Sequence, residues 1–473
     1  MNILTTRLKI PKRFKSLITD GEERVRTRKS ELAIVILAIL AVTLVVSSAF
    51  SALTTSVVLT NTGQISLGSY ARSGSARDIQ AAVDWVAGHG GRGTVYIPEG
   101  TWNFVEAGEP WQTVTVPVGI NITGAPTERD ANGQVTAWKT ILVVPNGVPS
   151  ANNPDDLPTW FGVSGNENPN TPFRFSDIAL IGTRYFNHSS TNMFCGVGIA
   201  NVFNFRIDHC KFQDMCGSAI WAGDDNGGTG SFQYTSESSC GVVDHCVLNN
   251  TVGYPGFWDY DARTLGYGIG LRKWACNIWE PVQNIWGKYR NYTVFIEDNY
   301  FSKWRHVVCS NDGFHYVFRN NIVDADYSQG SVDGHGSYAD DSHPLAVGTR
   351  CVEVYNNIFK DPDPTWWNET SNRNWALNIR GGSWLVYNNT FIGYSHVLDF
   401  NNDWGNYAPY SPQSAVNQTY VWNNTLNGAT LIHYNADSVV NVNYFLRAPN
   451  QIQDGLTYTP YTYPFPLASG PNP

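Results

Sequence analysis

The chain has 473 residues, of which 42% are apolar and only 15% charged, so it can bury a large core and is not intrinsically disordered. Its 31 basic and 40 acidic side chains give a net charge of −9. This acidic balance predicts that nucleic acid is not a partner, because phosphate backbones attract basic surfaces.

The N-terminal segment combines basic residues with a long apolar run. Residues 1–31 carry nine Lys or Arg side chains, and residues 32–50 form 19 positions without a charge, which is long enough to span a bilayer. We therefore predict a basic cytoplasmic segment at 1–31, a single transmembrane helix at 32–53 and a linker at 54–72. On this interpretation the protein is a single-pass cell-membrane protein with an extracellular domain. A cleaved signal peptide ending near residue 49 and a pilin-like leader are the alternatives.

A seven-residue phrase recurs along the rest of the chain: apolar positions flank two small polar residues in the middle. Its seven copies occupy residues 206–212, 242–248, 295–301, 317–323, 353–359, 385–391 and 420–426. The steps between successive copies are 36, 53, 22, 36, 32 and 35 residues. A fixed phrase at irregular steps predicts a solenoid whose coils carry loops of different length.

The residues of the phrase indicate which solenoid this is. The fourth of its seven residues, which is the middle polar position, is always His, Asp or Asn. These residues tolerate a left-handed backbone better than other non-glycine residues. The following position is Cys in two copies and Asn in the other five: Asn299, Asn321, Asn357, Asn389 and Asn424. Small polar side chains at one inward turn can hydrogen-bond from coil to coil, about 4.8 Å per step. We therefore predict an all-β, parallel β-helix at 73–445 in which these Asn side chains point inward and stack.

These turns resemble the Asn ladders of the pectate-lyase-like right-handed parallel β-helix superfamily. The segment 78–86, followed by a Gly-rich turn and strand at 90–100, resembles the start of that fold. The resemblance implies that a short amphipathic helix at 78–87 caps the solenoid. It says less about the reaction, because this fold carries lyases, hydrolases, esterases and structural proteins.

Cys210 and Cys246 occupy the same position in consecutive copies of the phrase, so their Cα atoms would lie within disulfide range. Cys195 and Cys216 form a second candidate pair. Buried free thiols, which behave as small apolar side chains, are the alternative for both pairs.

The densest group of ionisable residues spans two predicted coils. It contains Lys303, Arg305, His306, His315, Asp333 and His335. A polysaccharide lyase needs a base for the proton α to a uronate carboxylate and a cation that neutralises that carboxylate. His can serve as the base and Arg as the cation. We predict these six residues as the catalytic site; the alternative is that the Asp and His side chains stabilise a tight turn.

A second row consists of the first polar residues of successive phrases: Asp208, Asp244 and Glu297, followed by Arg319. Lyases of the resembled superfamily bind calcium with comparable carboxylate rows, and Ca²⁺ prefers oxygen ligands. The three carboxylates are therefore the predicted calcium site. Solvated surface charge is the alternative.

Aromatic residues favour a sugar ligand, since residues 254–292 hold ten Tyr, Trp or Phe side chains, including Tyr267 and Trp286. We predict a protein acting on polysaccharide, with lyase-like cleavage of an acidic glycan as the leading reaction. Glycoside hydrolysis, for which Asp340 and Asp341 offer carboxylates, is the lesser enzymatic option. The alternatives outside enzymology are a non-catalytic glycan-binding adhesin and a self-assembling structural protein. The Pro/Tyr-rich tail at 446–473 is predicted to cover the last coils.

Overall fold

The structure is a computed structural model, and it describes a defined set of residues. These are 55–59, 65–131, 133–144, 159–165, 168, 170–182, 195–215, 218–223, 239–251, 267–272, 281–288, 293–310, 313–324, 330–336, 349–361, 375–400, 415–435 and 438–469.

The described chain winds through three long sheets, one strand of each sheet per coil. Sheet A has thirteen described strands: Thr55–Leu59, Ile65–Tyr70, Gly93–Tyr96, Ile120–Thr123, Phe173–Ser176, Phe203–Asp208, Cys240–Asp244, Thr293–Glu297, His315–Arg319, Val352–Tyr355, Trp384–Tyr387, Thr419–Trp422 and Tyr444–Phe445. Sheet B has nine: Gly100–Asn103, Thr140–Val143, Ile178–Ile181, Lys211–Gln213, Val247–Asn249, Tyr300–Ser302, Ile322–Asp324, Ile358–Lys360 and Thr390–Ile392. Sheet C has ten: Val114–Pro117, Thr159–Ser164, Cys195–Ala200, Ser218–Gly223, Tyr267–Arg272, His306–Ser310, Val332–Gly334, Trp375–Ile379, His396–Phe400 and Thr430–Asn435.

Strand pairing in these sheets is parallel, except that the first two strands of sheet A are antiparallel to each other. Glu128–Arg129 and Val135–Ala137 form a separate, short antiparallel two-stranded sheet. One 3₁₀ turn spans Val282–Asn284, and the tail holds two four-residue helices, Gln451–Asp454 and Pro466–Ser469. The predicted fold is confirmed: the described chain is an all-β solenoid of parallel strands, a parallel β-helix.

The repeated phrase forms the turn between sheet A and sheet B in every coil that carries it. Its middle polar residue has positive φ in all seven copies: His209, His245, Asp298, Asn320, Asn356, Asn388 and Asn423. This left-handed residue reverses the chain, and the next side chain then points into the solenoid. An eighth turn of the same geometry lies at Asp177, with a φ of 61°, although Ile178 replaces the usual Asn or Cys.

The predicted asparagine ladder is present. From Asn321 onwards, each Asn accepts from the backbone N–H and the side-chain amide of the preceding Asn; for example, Asn321 Nδ2 donates to Asn357 Oδ1 at 3.1 Å. The ladder runs from Asn299 to Asn424, and its first four members are at most 2% exposed. Cys210 and Cys246 occupy the two preceding rungs as buried free thiols, so the thiol alternative holds for them.

The inner faces of the three sheets enclose one continuous apolar core. At its N-terminal end lies the helix predicted at 78–87, which extends from Ala76 to Gly88. Ser75 caps its start by accepting from the backbone N–H of Asp78, and Ile79, Val83 and Val86 enter the core. The helix therefore covers the first coils through its apolar face.

The localisation predicted from the N-terminal sequence is corrected. Among the residues that the structure describes, no helix is both long and apolar enough to cross a bilayer. The segment 32–53, on which the membrane prediction was based, lies outside the described residues.

The C-terminal tail packs against the outer face of sheet A. Phe465 stacks on Phe295 with ring centroids 4.1 Å apart, and the backbone N–H of Phe465 donates to Glu297 Oε1 at 2.8 Å. Arg319 donates to the backbone oxygens of Tyr461 and Thr462. The tail thus buries both apolar rings and charged groups of this sheet.

Candidate functional site on sheet C

Consecutive strands of sheet C place polar residues next to one another on the outer face. Alternate residues such as Val308 and Val332 enter the core. The residues that follow these valines point to the outer face instead: Cys309 pairs in register with Asp333, and Asp333 pairs with Asn378 on the next strand. The same column continues to Asp399 in the next strand. A parallel register therefore brings together residues that are far apart in sequence.

Asp333 is the centre of this column, and its carboxylate is fully buried. Asn378 Nδ2 donates to its Oδ1 at 2.6 Å, and Arg380 Nη2 donates to its Oδ2 at 2.7 Å. His335 Nε2 lies 2.8 Å from the same Oδ2. Arg380 Nη2 also contacts the His335 ring. One buried carboxylate thus holds an Arg and a His side chain, which are 15% and 28% exposed.

The charges of this group reinforce one another. Burial alone would disfavour the Asp333 carboxylate, but the positive charges of Arg380 and His335 outweigh it and hold its pKa well below the ordinary value. Burial likewise disfavours a charged His335, yet the negative charge of Asp333 and their hydrogen bond raise its pKa well above the ordinary value. Near pH 7 the site therefore presents two cations, His335 and Arg380, over one buried anion.

His306 belongs to the same group but lies deeper. It is 2% exposed, its Nδ1 donates to the backbone oxygen of Gly330 at 2.8 Å, and its Nε2 lies 3.9 Å from Asp333. Burial lowers its pKa to about 3, so the ring is neutral near pH 7. Arg305 and Lys303 lie in the turn that leads into this strand, and both are half-buried.

The sixth predicted residue, His315, is placed elsewhere. It begins a strand of sheet A, is fully buried, and its Nδ1 lies 3.2 Å from the Thr293 hydroxyl. Its Nε2 lies 3.9 Å from Glu353, a carboxylate that also accepts from Tyr458 of the tail. The structure thus brings His306, Asp333 and His335 together and separates His315 from them.

The predicted calcium row does align, since Asp208, Asp244, Glu297 and Arg319 are successive partners in sheet A. All three carboxylates are fully buried and paired with guanidinium groups. Arg174 contacts Asp208 at 2.6 Å, Arg206 contacts Asp244 at 2.8 Å and Arg319 contacts Glu297 at 2.7 Å.

His209 and His245 add contacts to the two aspartates of this row, at 2.7 and 2.9 Å. A calcium ion here would have to displace the guanidinium groups that already occupy the carboxylate oxygens. The calcium site stays a prediction.

Among the described residues, one group of His, Cys and acidic side chains brings its ligand atoms within 4.8 Å of one another: Cys309, Asp333 and His335. The Cys309 thiol donates to Asp333 Oδ2 at 3.7 Å. Arg380 contacts both Asp333 and His335, so its guanidinium group occupies the place and supplies the positive charge that a metal ion would have at these three residues.

Sequence reasoning missed Arg380, Asn378 and Cys309. Arg380 follows Asp333 by 47 residues and stands in no repeated phrase, so only the strand register places it at the site. The predicted aromatic platform is only partly described: Tyr267 stacks on His306 with centroids 5.7 Å apart, whereas Trp286 is buried beneath the tail. The other eight aromatic residues of 254–292, like Asp340 and Asp341, lie outside the described residues.

The chain matches no protein-family profile and no curated protein by sequence. Solved structures to which it is similar, all at low identity, include the following. The A-module of a mannuronan C-5 epimerase from Azotobacter vinelandii is 16% identical, with a TM-score of 0.41, over 82% of this chain and 91% of that one. A tailspike protein mutant of E. coli bacteriophage HK620, in complex with pentasaccharide, is 16% identical, with a TM-score of 0.44, over 76% of this chain and 56% of that one. An exopolygalacturonase from Thermotoga maritima is 13% identical, with a TM-score of 0.38, over 75% and 78%. Each TM-score is below 0.5, so we take nothing about ligand or reaction from these likenesses.

Proposed function

We propose that this chain acts on an acidic polysaccharide at the outer face of sheet C, with lyase-like cleavage as its reaction. The observation that carries the proposal is the convergence of two partly exposed cations, His335 and Arg380, on the buried carboxylate of Asp333. Two cations over one anion leave a local positive charge on a chain whose net charge is −9. Such a spot favours an anionic group of the ligand, and a uronate carboxylate is the anion that a polysaccharide supplies.

The proposed reaction is a β-elimination, in which the residues of this site have the following roles. Arg380 pairs with the uronate carboxylate and stabilises the negative charge that develops when the neighbouring C5–H bond breaks. The electron pair of that bond forms the C4=C5 double bond, the C5 proton passes to a solvent water, and the C4–O bond to the next sugar breaks. Protonated His335 donates a proton to the departing oxygen and recovers one from solvent afterwards. Asp333 is a positioning residue that holds both cations.

The base that takes the C5 proton was predicted to be a neutral His. His306 meets the protonation requirement, since its pKa of about 3 leaves it neutral, but it is 2% exposed. His335 meets the exposure requirement but is protonated. Because the neutral His is buried and the exposed His is protonated, a second candidate function is favoured. It is glycan binding without turnover, in which Arg380 and His335 hold a uronate carboxylate. Self-assembly into a structural layer remains a separate prediction.

The test is turnover and binding by the purified full chain on polymannuronate, polyguluronate and polygalacturonate, with and without calcium. A lyase produces an unsaturated sugar whose absorbance is followed directly. Replacing Arg380 by Ala is expected to lower kcat/KM by about 100-fold, as for loss of one charge-stabilising donor. Binding without new absorbance, lost in the same variant, would establish the glycan-binding function instead.

The matched control is Arg447→Ala, which removes a different Arg–Asp ion pair. That pair lies in the tail, where Arg447 Nη1 is 2.7 Å from Asp454 Oδ2. This variant should keep full activity. The proposal is wrong if none of the polymers is bound or cleaved. It is also wrong if His335→Ala and Arg380→Ala lower activity only in proportion to a large loss of thermal stability, since the cluster is then structural.

A further inference from the structure

A second feature of the same face is a cavity of about 260 Å³ on the first strands of sheet C. Its walls include the side chains of Thr113, Thr115, Thr159 and Ser164, and the ring of Trp221. The floor is the backbone of strands that carry glycine at positions 162 and 198, whose missing side chains leave the space open. The site described above does not use this cavity.

Among the described residues, the cavity wall contains hydroxyl groups, the Cys195 thiol and one indole, and none of the lining side chains is charged. Hydroxyls donate to and accept from the hydroxyl groups of a sugar, and a flat aromatic ring suits the apolar face of a pyranose. A carboxylate placed here would find no cation to replace its water. The lining therefore fits an uncharged sugar ring and disfavours a uronate.

The ring of Trp221 is held in place by glycine on the neighbouring strand. A Cβ atom at Gly270 would lie 2.4 Å from the ring, so only glycine leaves room for the indole there. Trp221, Gly270, Cys309 and Asp333 are successive partners across four strands. At about 4.8 Å per strand, the Trp221 wall lies roughly 14 Å along the solenoid axis from Asp333.

We infer that the ligand is an acidic heteropolysaccharide, in which a uronate binds at His335 and Arg380 and an uncharged sugar binds in the Trp221 cavity. This inference rests on the proposed function and adds the class of polymer. A ligand made only of uronates would place a carboxylate in the uncharged cavity. A ligand with neutral sugars between its uronates places a uronate at His335 and Arg380 and, at the same time, a neutral sugar in the Trp221 cavity.

The test compares binding of two polymers to the purified full chain by calorimetry. Gellan carries neutral sugars between its glucuronates, and polymannuronate is acidic at every residue. A Cβ at Gly162 would meet only Thr113 Cγ2, at 3.6 Å, so Gly162→Val fills the cavity without a clash at Cβ. We expect Gly162→Val to weaken gellan binding by about tenfold and to leave polymannuronate binding within about twofold.

Two further variants make the result independent of folding. Thr115→Val removes one exposed hydroxyl of the cavity while keeping the side-chain shape, and it should weaken gellan binding alone. Gly88→Val, at the end of the capping helix where a Cβ meets nothing within 4 Å, is the matched control. Equal weakening of both polymers, or no weakening of gellan by either cavity variant, overturns the inference and leaves the proposed function standing. If the unmodified chain binds neither these polymers nor the polyuronates above, both fall.

Discussion

At the scale of single residues, Asp333 decides the character of the site. It is the only fully buried member of the group formed with Arg380 and His335, and each of the two cations contacts it within 3 Å. A buried carboxylate without such partners would be costly, so the cations stabilise its charged form. In return, Asp333 fixes the position of both cations at the surface, where a ligand can reach them.

The raised pKa of His335 is therefore expected to depend on Asp333. In Asp333→Asn the opposing negative charge is gone while the burial remains, so the pKa of His335 should fall below the ordinary His value of about 6.5. Titration of the imidazole by NMR, in the variant and in the unmodified protein, measures this directly. An unaltered His335 pKa in the variant would show that Asp333 does not control the site.

The same shifts set a pH window for stability. The folded pKa of Asp333 lies below its unfolded value, so its contribution is present above about pH 4 and is lost as the pH falls. The folded pKa of His335 lies above its unfolded value, so its contribution is complete below about pH 6.5 and is lost as the pH rises through the raised pKa. The contribution of the pair is thus greatest between these two limits.

At the scale of elements, the turn between sheets A and B is the unit that repeats. Asn357 accepts from the backbone N–H and the side-chain amide of Asn321 and donates to the backbone oxygens of Phe318 and Tyr355. Its amide also donates to Asn389. Replacing one such Asn leaves several buried polar groups without partners at once.

Asn357→Ala is expected to lower the free energy of unfolding by about 3 kcal/mol, because buried donors and acceptors lose their partners. Denaturant unfolding measures the change. The neighbouring residue Asn356 is the control: it is exposed and has a φ of 57°, which glycine adopts without strain, so Asn356→Gly should change stability little. Equal effects at the two positions would contradict the ladder.

The position and geometry of this turn were predictable from sequence, because left-handed residues and inward Asn side chains leave a signature at each copy. The copy at 174–180 was not recognised, since Ile178 fills the position of the Asn. Its Asp177 nevertheless has the same positive φ. The left-handed residue is therefore the requirement of the turn, and the ladder Asn is an addition to it.

At the scale of the whole molecule, the tail closes the outer face of sheet A over a row of charges. Glu297 and Arg319 bond to each other and to the tail, and Glu353 accepts from Tyr458 of the tail and from the backbone N–H of Gly287. The row predicted to bind calcium is thus paired internally, and its far end lies beneath the tail. On sheet C, by contrast, the cationic side chains of His335 and Arg380 are partly exposed.

Phe465→Ala tests the contribution of the tail. The ring is 8% exposed and stacks on Phe295, so its removal is expected to destabilise the protein by about 3 kcal/mol. Ile452→Ala, in the same tail but 97% exposed, should change stability by less than about 0.5 kcal/mol. Thermal unfolding of the two variants distinguishes a packed tail from a loosely attached one, for which both changes would be small.

The sequence by itself determined the parallel β-helix, its capping helix and the inward stacking of Asn299, Asn321, Asn357, Asn389 and Asn424. These features arise from local backbone preferences that repeat in each coil, so they are visible as a pattern. The tertiary structure alone decided which charges meet. It joined Arg380 and Asn378 to Asp333, moved His315 to another sheet and paired Asp208 and Asp244 with arginines. The physical reason is register: loops of unequal length separate the coils, and contacts between side chains on neighbouring strands depend on which residues those loops bring into line.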